Sequence, residues 1–444
     1  MSHLHEIPEV AGLDANVGAI RIPPEIDVPM TRRVRALVDT REFRRLAEIS
    51  QLGLVSLVYP AANHTRFEHS LGVYRLALCY LRRLASDSRF TEVVRSEDGE
   101  LLLVAALLHD LGHWPFCHAI EDIQLPSVPR HELFANSFLL ESEIGDVIRD
   151  DWGINPRDVV MLLSEKPRER VRRILSTMLS GPVDIDKMDY LRRDSLHAGV
   201  PYGNNFDQNR LIGSLCLNEA GDGLAISQKG KTAAEMMVFA RYVMFSEVYW
   251  HHSVRSATAM LQRAFYQLCG SLDLDPLFRM TESAMITELL ATAGETGSGE
   301  LLLGLFGPRR RLYKRLAQYS IFHDQDIYTR LARKPYPYLV ACAEKFADVA
   351  STHLGRRIPP HEVLFDAPPQ SREVEFNVEI HDIRTDTYRR LGDVSPVVRA
   401  LAERQFDDYV KRVRIFVHPE LVGDLRAVEQ LGRLVHEAID GVEE

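Results

Sequence analysis

Cysteine is scarce in this 444-residue sequence, and its five cysteines are scattered, with no Cys-x-x-Cys pair. Their odd number argues against a disulfide framework or a cysteine zinc site. Long apolar runs are also missing: the run at residues 101–108 is too short to cross a bilayer. The first residues lack a charged-then-apolar leader. We therefore expect a cytoplasmic protein with reduced thiols, no signal peptide and no membrane association.

An excess of basic residues is missing as well, because the formal net charge is −10. A dedicated nucleic-acid binder presents a basic face, so this balance disfavours that class of protein. It does not exclude a small anionic substrate, since a local basic pocket can lie inside an acidic protein.

Alternating runs rich in valine, isoleucine and threonine are few, whereas leucine, alanine, arginine and glutamate are abundant. This composition predicts a mainly α fold. Two apolar runs around the turn residues 220–223 indicate a β-hairpin at about 213–229. Strand-like runs at 373–378 and 413–417 predict a small mixed α/β C-terminal region.

The order of these patterns predicts three parts of the chain. Residues 1–30 are proline-rich and irregular, and we interpret them as an N-terminal arm. A helical core is predicted at 31–270, with the hairpin inserted and a long helix at about 232–268. A C-terminal helical region with short strands is predicted at 271–444. Within the core, further helical patterns occur at 131–142, 155–163, 169–179 and 184–197.

The strongest chemical signal is a set of potential metal ligands. His109-Asp110 ends an otherwise apolar helix, where burying two polar groups without partners would cost several kcal/mol. His69 and Asp186 are further candidates. Two imidazoles and two carboxylates suit a divalent transition metal and leave positions for water and a phosphate oxygen.

His69, His109-Asp110 and Asp186, in this order, resemble the H…HD…D set of the HD superfamily. The neighbouring segments are similar to those of deoxynucleoside-triphosphate triphosphohydrolases, a group with bacterial dGTPase-like enzymes and a vertebrate enzyme carrying a sterile-alpha-motif domain. The similarity covers about residues 30–260. The segments that carry it are 51–53, 66–73, 109–118, 131–132, 184–194 and 204–207.

The resemblance implies hydrolysis at the α-phosphorus of a dNTP, which releases a deoxynucleoside and intact triphosphate. It implies one divalent transition metal per site (Mn, Fe, Ni or Zn), held by His69, His109, Asp110 and Asp186, with Mg accompanying the substrate triphosphate. It also implies a homo-oligomer and admits a nucleotide activator. Ala47 stands where the vertebrate enzyme's activator pocket has an arginine, so the same guanine-nucleotide activation is not expected.

The leaving 5′-oxygen needs a proton, so a general acid is required opposite the attacking water. His118 is the first candidate, with Glu121 one helical turn away to orient it. His131, beside Glu132, is the second candidate. His113 and Arg66 are expected to hold the α-phosphate.

The remaining substrate contacts implied by the resemblance are cationic, aromatic and polar. They are Arg66 at the α-phosphate, Lys187 and Tyr190 at the outer phosphates, Arg241 at a phosphate, Tyr249 at the sugar, Gln51 and Leu52 at its 3′ side, and Asp194. Arg241 and Tyr249 are eight residues apart in the predicted long helix, so a shared face is expected. Phe245 departs from the family pattern, which often has histidine at that position.

Two alternative functions remain open from the sequence. The first keeps the metal site but acts on nucleoside monophosphates or cyclic nucleotides; Lys187, Tyr190 and Arg241 disfavour it, because a monophosphate has no outer phosphates. The second is a nucleotide-sensing or single-strand nucleic-acid-binding protein with weak turnover. Salt-sensitive binding to single strands that survives Asp186→Ala would favour it.

Overall fold

The structure is a computed structural model that describes residues 3–14, 18–164, 167–369, 377–404 and 410–442. The chain forms two compact units. The first comprises Met1–Trp114, Arg130–Met244 and Glu375–Glu403, and the second comprises Pro115–Pro129, Phe245–Val374 and Arg404–Glu444. Each unit is discontinuous in sequence, and the domain boundaries predicted above remain a prediction.

The first unit is mainly helical, as the composition predicts. Leu101 to Leu108 are all buried, which explains why that helix is apolar on every face. The helices of the first part of the chain, of which α7 belongs to the second unit, are α1 (Pro8–Ala11), α2 (Arg32–Val38), α3 (Arg41–Arg45), α4 (Arg66–Leu84), α5 (Ser88–Thr91), α6 (Ser96–Leu108), α7 (Cys117–Glu121), α8 (His131–Glu141), α9 (Glu143–Trp152), α10 (Pro156–Ser164), α11 (Arg170–Ser180), α12 (Ile185–Ala198), α13 (Gln208–Gly213) and α14 (Lys231–Met244).

Side-chain caps fix the starts of the helices that carry the candidate site. Thr65 accepts a hydrogen bond from the backbone N–H of Glu68 at the start of α4. Asp184 accepts one from the N–H of Lys187 at the start of α12. Such caps satisfy N–H groups that have no partner inside the helix. α4 packs against both α6 and α12, so the three helices form the centre of this unit.

The N-terminal arm is more ordered than the sequence pattern predicts. It contains α1 and a hairpin of β1 (Ala19–Ile22) and β2 (Ile26–Pro29). Leu4, Ile7 and Val10 are fully or almost fully buried. The apolar residues of this segment are spaced three apart, which places them on one side of its helical turns and explains their burial.

The predicted hairpin is confirmed as the antiparallel pair β3 (Leu215–Leu217) and β4 (Leu224–Ser227). It belongs to a four-stranded sheet in the order β3-β4-β7-β8, with β7 (Glu379–Asp382) and β8 (Thr387–Arg390). β7 pairs with β4 in parallel. Part of the strand predicted at 373–378 lies outside the described residues.

The second unit contains a three-stranded antiparallel sheet with the order β5 (Lys314–Tyr319), β9 (Val413–Val417) and β6 (Val363–Asp366). β9 confirms the strand predicted at 413–417. The remaining helices, of which α21 and most of α22 belong to the first unit, are α15 (His252–Leu268), α16 (Leu274–Arg279), α17 (Glu282–Ala293), α18 (Gly297–Phe306), α19 (Gln325–Leu331), α20 (Tyr336–Leu354), α21 (Leu391–Val394), α22 (Pro396–Arg404), α23 (Val422–Arg426) and α24 (Leu431–Asp440).

The prediction of one continuous helix at about 232–268 is wrong. α14 ends at Met244, a π-helical turn follows at Phe245–Tyr249, and α15 begins at His252. The side chain of His251 accepts a hydrogen bond from the N–H of Ser253, which gives α15 its own N-cap. The helical apolar pattern continues through the interruption, so sequence periodicity alone does not reveal it. Among the described residues, no helix is both long and apolar enough to span a membrane.

Candidate metal centre

His69 lies in the first turn of α4, where backbone contacts hold the helix start. The N–H of Arg66 donates to the carbonyl of Ile49 at 3.0 Å, and the N–H of Gln51 donates to the carbonyl of His64 at 2.9 Å. The loop that carries Gln51 and Leu52 is thereby attached to the start of α4. His69 is almost completely buried.

His109 and Asp110 directly follow α6, at the end of the buried apolar segment. Arg45 stabilises the turn after them, because its Nη2 donates to the carbonyl of Leu111 at 2.8 Å and to that of His113 at 2.9 Å. Gly112 allows this turn to pack closely, since a Cβ atom there would lie 2.1 Å from the carbonyl oxygen of His131. The sharp turn therefore requires a glycine at this position.

Three of the four predicted ligand residues, His69, His109 and Asp186, form one group in the first unit with ligand atoms within 4.8 Å of one another, and Asp110 lies beside this group. Nε2 of His69 lies 3.2 Å from Nε2 of His109 and 3.1 Å from Oδ1 of Asp186. Oδ1 of Asp110 lies 3.4 Å from Nε2 of His109, and Nε2 of His109 lies 3.8 Å from Oδ1 of Asp186. Two ligand atoms that each lie about 2.1 Å from one ion stand roughly 3 Å apart. These separations therefore suit a shared divalent ion.

Both imidazoles present the nitrogen that such an ion needs. Nδ1 of His109 is 2.9 Å from the carbonyl of Ala106, and Nδ1 of His69 is 2.8 Å from Oδ2 of Asp189. A carbonyl or ionised carboxylate only accepts, so each Nδ1 carries a proton, and it is Nε2 that offers a lone pair to a metal once the imidazole is neutral. The donor set, two imidazole nitrogens and two carboxylates, fits a divalent transition metal.

The surroundings of the cluster favour positive charge within it. Burial opposes a charged imidazole, but hydrogen bonds to Asp186 and Asp189 outweigh burial and raise the pKa of His69 to about 10. Burial likewise opposes the charged form of Asp110, but the neighbouring His113 and Arg66 hold its pKa well below the usual range. A site that stabilises an extra proton in this way also stabilises a cation.

Two of the predicted phosphate-binding residues contact the metal ligands directly. Nη1 of Arg66 donates to Oδ2 of Asp110 at 2.7 Å, and Nδ1 of His113 lies 3.2 Å from Oδ1 of Asp110. The ring of His113 packs against that of His131 at an interplanar angle of 37°, with centroids 3.9 Å apart. Nδ1 of His131 lies 3.7 Å from Oε2 of Glu132. The structure therefore brings both histidines and Arg66 to the ligand cluster.

The candidate residues on α12 have partners of their own. Nζ of Lys187 contacts Oδ2 of Asp184 and the carbonyl of Gly181, and its side chain is 16% exposed. This ion pair raises the pKa of Lys187 despite burial. Oδ1 of Asp194 lies 3.0 Å from Nε2 of His64. Tyr190 is half-buried on the same helix, four residues after Asp186.

The remaining candidates are divided between the units. Arg241 is buried on α14 in the first unit, whereas Tyr249 lies in the π-helical turn and belongs to the second. Arg241 and Tyr249 were expected to share a face of one continuous helix, and the structure does not contain that continuous helix. His118 and Glu121 lie on α7 in the second unit, with Nδ1 and Oε2 3.7 Å apart and the side chain of His118 66% exposed. Their roles stay predictions.

Asp189, Arg193 and Arg45 also support the site and were not identified from the sequence. Asp186 and Asp189 are three residues apart and therefore lie on one face of α12, and Arg193 follows Asp189 at the favourable i, i+4 spacing. That spacing was the available signal. The sequence contains no signal for the role of Arg45, because its partners are backbone carbonyls more than 60 residues away in sequence.

Comparisons with known proteins agree with this geometry. Residues 66–194 match the model of the HD domain, and residues 206–430 match that of the HD associated region. The chain is 31% identical over 408 residues to the uncharacterized protein MJ1154 of Methanocaldococcus jannaschii, covering 90% of this chain and 79% of that protein. It is 28% identical over 330 residues to the deoxynucleoside triphosphate triphosphohydrolase SAMHD1 of Gallus gallus, covering 64% of this chain and 53% of that protein.

The fold is also similar to that of solved structures. A hypothetical protein from Aquifex aeolicus superposes with a TM-score of 0.71 at 28% identity, covering 93% of this chain and 99% of that chain. The two matching models together span most of the chain, and the HD model includes all four candidate metal ligands. The chain therefore belongs to the HD-domain family and carries the HD associated region after its HD domain.

Proposed function

We propose that this protein is a metal-dependent phosphohydrolase that converts dNTPs into deoxynucleosides and triphosphate. The observation that carries the proposal is the grouping of His69, His109 and Asp186, with ligand atoms 3.1 to 3.8 Å apart and Asp110 beside them. A divalent metal at this point would act as a Lewis acid and lower the pKa of a bound water. The similarity to SAMHD1, a dNTP triphosphohydrolase by name, supports this substrate class.

The reaction requires one bond to form and one to break. The oxygen of water bonds to the α-phosphorus, and the bond from that phosphorus to the 5′-oxygen of the sugar breaks. Water loses a proton, and the 5′-oxygen gains one as it leaves. We assign the donation of that proton to His118, oriented by Glu121, with His131 as the second candidate.

Charge around the α-phosphate comes from residues beside the ligands. Arg66 uses Nη1 to hold Asp110, so its role includes fixing a metal ligand as well as facing the phosphate. His113 also contacts Asp110. In this proposal both residues balance the negative charge that the substrate brings into a partly dry site.

The outer phosphates are assigned to Lys187, Tyr190 and Arg241. Lys187 donates to Asp184 and to the carbonyl of Gly181, and therefore it would offer the phosphates its third N–H group. Gln51, Leu52 and Tyr249 are assigned to the deoxyribose, and Asp194 is assigned to substrate binding without a specified group.

The test is to incubate the metal-free protein with Mn²⁺ and each dNTP, alone and as a mixture, and to separate the products by ion-pair chromatography. Asp186→Ala is the matched control that lacks one ligand. Deoxynucleoside and intact triphosphate in equal amounts support the proposal, and a need for the mixture reveals a nucleotide activator. Release of pyrophosphate or orthophosphate instead would contradict attack at the α-phosphorus.

Two further outcomes distinguish the alternatives. Turnover of nucleoside monophosphates or cyclic nucleotides, without turnover of dNTPs, would assign the metal site to the smaller substrates. Salt-sensitive binding to single strands that survives Asp186→Ala, with no turnover, would indicate a binding protein.

A further inference from the structure

The two histidines of the proposed metal centre differ in the group that their Nδ1 atoms contact. Nδ1 of His109 donates to the carbonyl of Ala106, a backbone group of the preceding helical turn. Nδ1 of His69 donates to a side chain, Oδ2 of Asp189, at 2.8 Å. Nδ1 of His109 is therefore fixed by a backbone group of its own helix, whereas Nδ1 of His69 is fixed by a carboxylate from another helix.

We infer that Asp189 is a positioning residue that presents Nε2 of His69 to the metal. The inference rests on the metal centre of the proposed function. A carboxylate that accepts from one imidazole nitrogen fixes the tautomer and the ring orientation, and it makes the other nitrogen a stronger ligand. His69 and Asp189 have side chains only 1% and 6% exposed, so water does not replace this contact.

Asp189 is itself held rigidly by Arg193. Nε of Arg193 donates to Oδ2 of Asp189 and Nη2 donates to Oδ1, each at 2.7 Å. Nη1 of the same guanidinium donates to Oε1 of Glu68 at 2.6 Å. A planar guanidinium that binds both carboxylate oxygens fixes their direction as well as their charge.

Glu68 extends the network back to the helix that carries His69. It is adjacent to His69 on α4, and its Oε1 also accepts from Nε2 of His197 at 2.9 Å. The contacts therefore lead from His69 on α4 to Asp189 and Arg193 on α12, and from Arg193 back to Glu68 on α4. This closed set of charged hydrogen bonds sets the position of α12, which carries Asp186, relative to the imidazole of His69.

Gly72 makes the arrangement sterically possible. It lies one helical turn after His69 and faces the same carboxylate. A Cβ atom at Gly72 would be 2.0 Å from Oδ1 of Asp189 and 2.4 Å from Nη2 of Arg193. Any side chain here would displace the ion pair, so the helix surface next to the ligand is shaped around Asp189.

The experiment compares Asp189→Ala with Arg193→Ala. Both variants break the same buried ion pair, but only Asp189→Ala removes the acceptor of His69. The metal-free proteins are prepared with a chelator, their melting temperatures are measured, and Mn²⁺ affinity is determined by titration calorimetry. We expect both melting temperatures to fall, and the Kd for Mn²⁺ to rise roughly 10–100-fold in Asp189→Ala. The rise should be much smaller in Arg193→Ala, because the acceptor of His69 is still present there.

Equal changes of metal affinity in the two variants, or none in Asp189→Ala, would overturn the inference and leave the metal centre intact. Absence of Mn²⁺ binding by the unaltered protein would instead overturn the metal centre and the proposed function with it.

A measurement on the unaltered protein covers the case in which Asp189→Ala does not fold. Nitrogen-15 histidine NMR of the Zn²⁺-loaded protein, assigned with His69→Gln, should detect a protonated Nδ1 and a metal-bound Nε2 for His69. A metal-bound Nδ1 would contradict the role of Asp189.

Discussion

Arg66 and Asp110 form a buried ion pair inside the candidate metal centre, with Nη1 and Oδ2 2.7 Å apart. One side chain is a predicted phosphate ligand and the other a predicted metal ligand. Their contact means that the positive charge of Arg66 already offsets Asp110 in the metal-free protein. In the proposed metal centre, the metal and Arg66 would therefore share one carboxylate.

The first prediction concerns Arg66→Met. Removing one partner of a buried pair leaves an uncompensated charge, so the metal-free variant should lose about 3–5 kcal/mol of unfolding free energy. A bound cation compensates Asp110 in its place, so Mn²⁺ should raise the melting temperature more in Arg66→Met than in the unaltered protein. Urea unfolding of the metal-free proteins measures the free energy, and differential scanning fluorimetry with and without Mn²⁺ measures the melting temperatures. An equal or smaller rise in the variant would argue against this compensation.

The second prediction separates the acid from the metal ligands. Asp186→Ala should lose both metal and hydrolysis, because Asp186 contributes a ligand atom. His118→Ala should keep the metal and lower kcat about 10²–10⁴-fold, the usual effect of removing a general acid. Metal content by mass spectrometry and kcat for dNTP hydrolysis are measured for both variants.

His131→Ala is the comparison for that assignment. If His131→Ala shows the larger loss of kcat with metal retained, then His131 is the acid. If His118→Ala loses metal, its assignment as acid is wrong.

The third prediction tests a buried pair in the second unit. Arg255 binds Asp366 through Nε at 3.2 Å and Nη2 at 2.5 Å, and its guanidinium lies 4.0 Å from the ring centre of Trp250. Arg255→Met should cost about 3–5 kcal/mol, because Asp366 stays buried without its partner. Urea unfolding followed by tryptophan fluorescence measures the change.

Arg279→Met is the matched control, since Arg279 forms an exposed pair with Asp275 on one helix. Exposed pairs contribute less than about 1 kcal/mol. Similar losses in the two variants would show that burial does not determine the strength of the Arg255 pair.

The fourth prediction concerns pH. Burial, and then the nearby carboxylate of Asp87, raises the pKa of the Cys216 thiol to about 11. Thiolate is the reactive form, so only about one molecule in a thousand is reactive at pH 8, and alkylation by iodoacetamide should accelerate about tenfold per pH unit between 8 and 10. Peptide mass spectrometry after timed labelling gives the rate.

Asp87→Asn provides the control for Cys216. Asp87 caps α5 by accepting from the N–H of Arg89 at 3.0 Å, and asparagine can make the same cap without the charge. The variant should react faster at pH 8, because the pKa of the thiol falls. An unchanged rate would show that the carboxylate does not contribute.

The sequence pattern predicts features that depend on local physics. The apolar helix that ends in His109-Asp110, the hairpin around residues 220–223 and the starts of α8 and α12 all follow from periodicity, capping and turn residues. The mainly α fold and the family membership are confirmed. The structure groups three of the four residues that the motif indicates, with Asp110 beside them, and their role as metal ligands stays a prediction.

Other features depend on partners far apart in the chain. The role of Asp189 follows from a contact with His69, 120 residues away. The π-helical turn at Phe245–Tyr249 interrupts a helix without any glycine or proline in the turn. The pairing of β4 with β7 joins strands about 150 residues apart, and no local pattern specifies such a pairing.

That pairing has a consequence for any shortened form of the protein. β4 is buried along its whole length, and β7 covers the side of it that β3 does not. Translation that stops before Glu379, or a protease cut that releases the C-terminal part, would leave the backbone N–H and C=O groups of an apolar strand open to other chains. Fragments that retain all four metal ligands should therefore aggregate, and the HD domain of this protein should not be separable as a soluble piece by cutting the gene after residue 244.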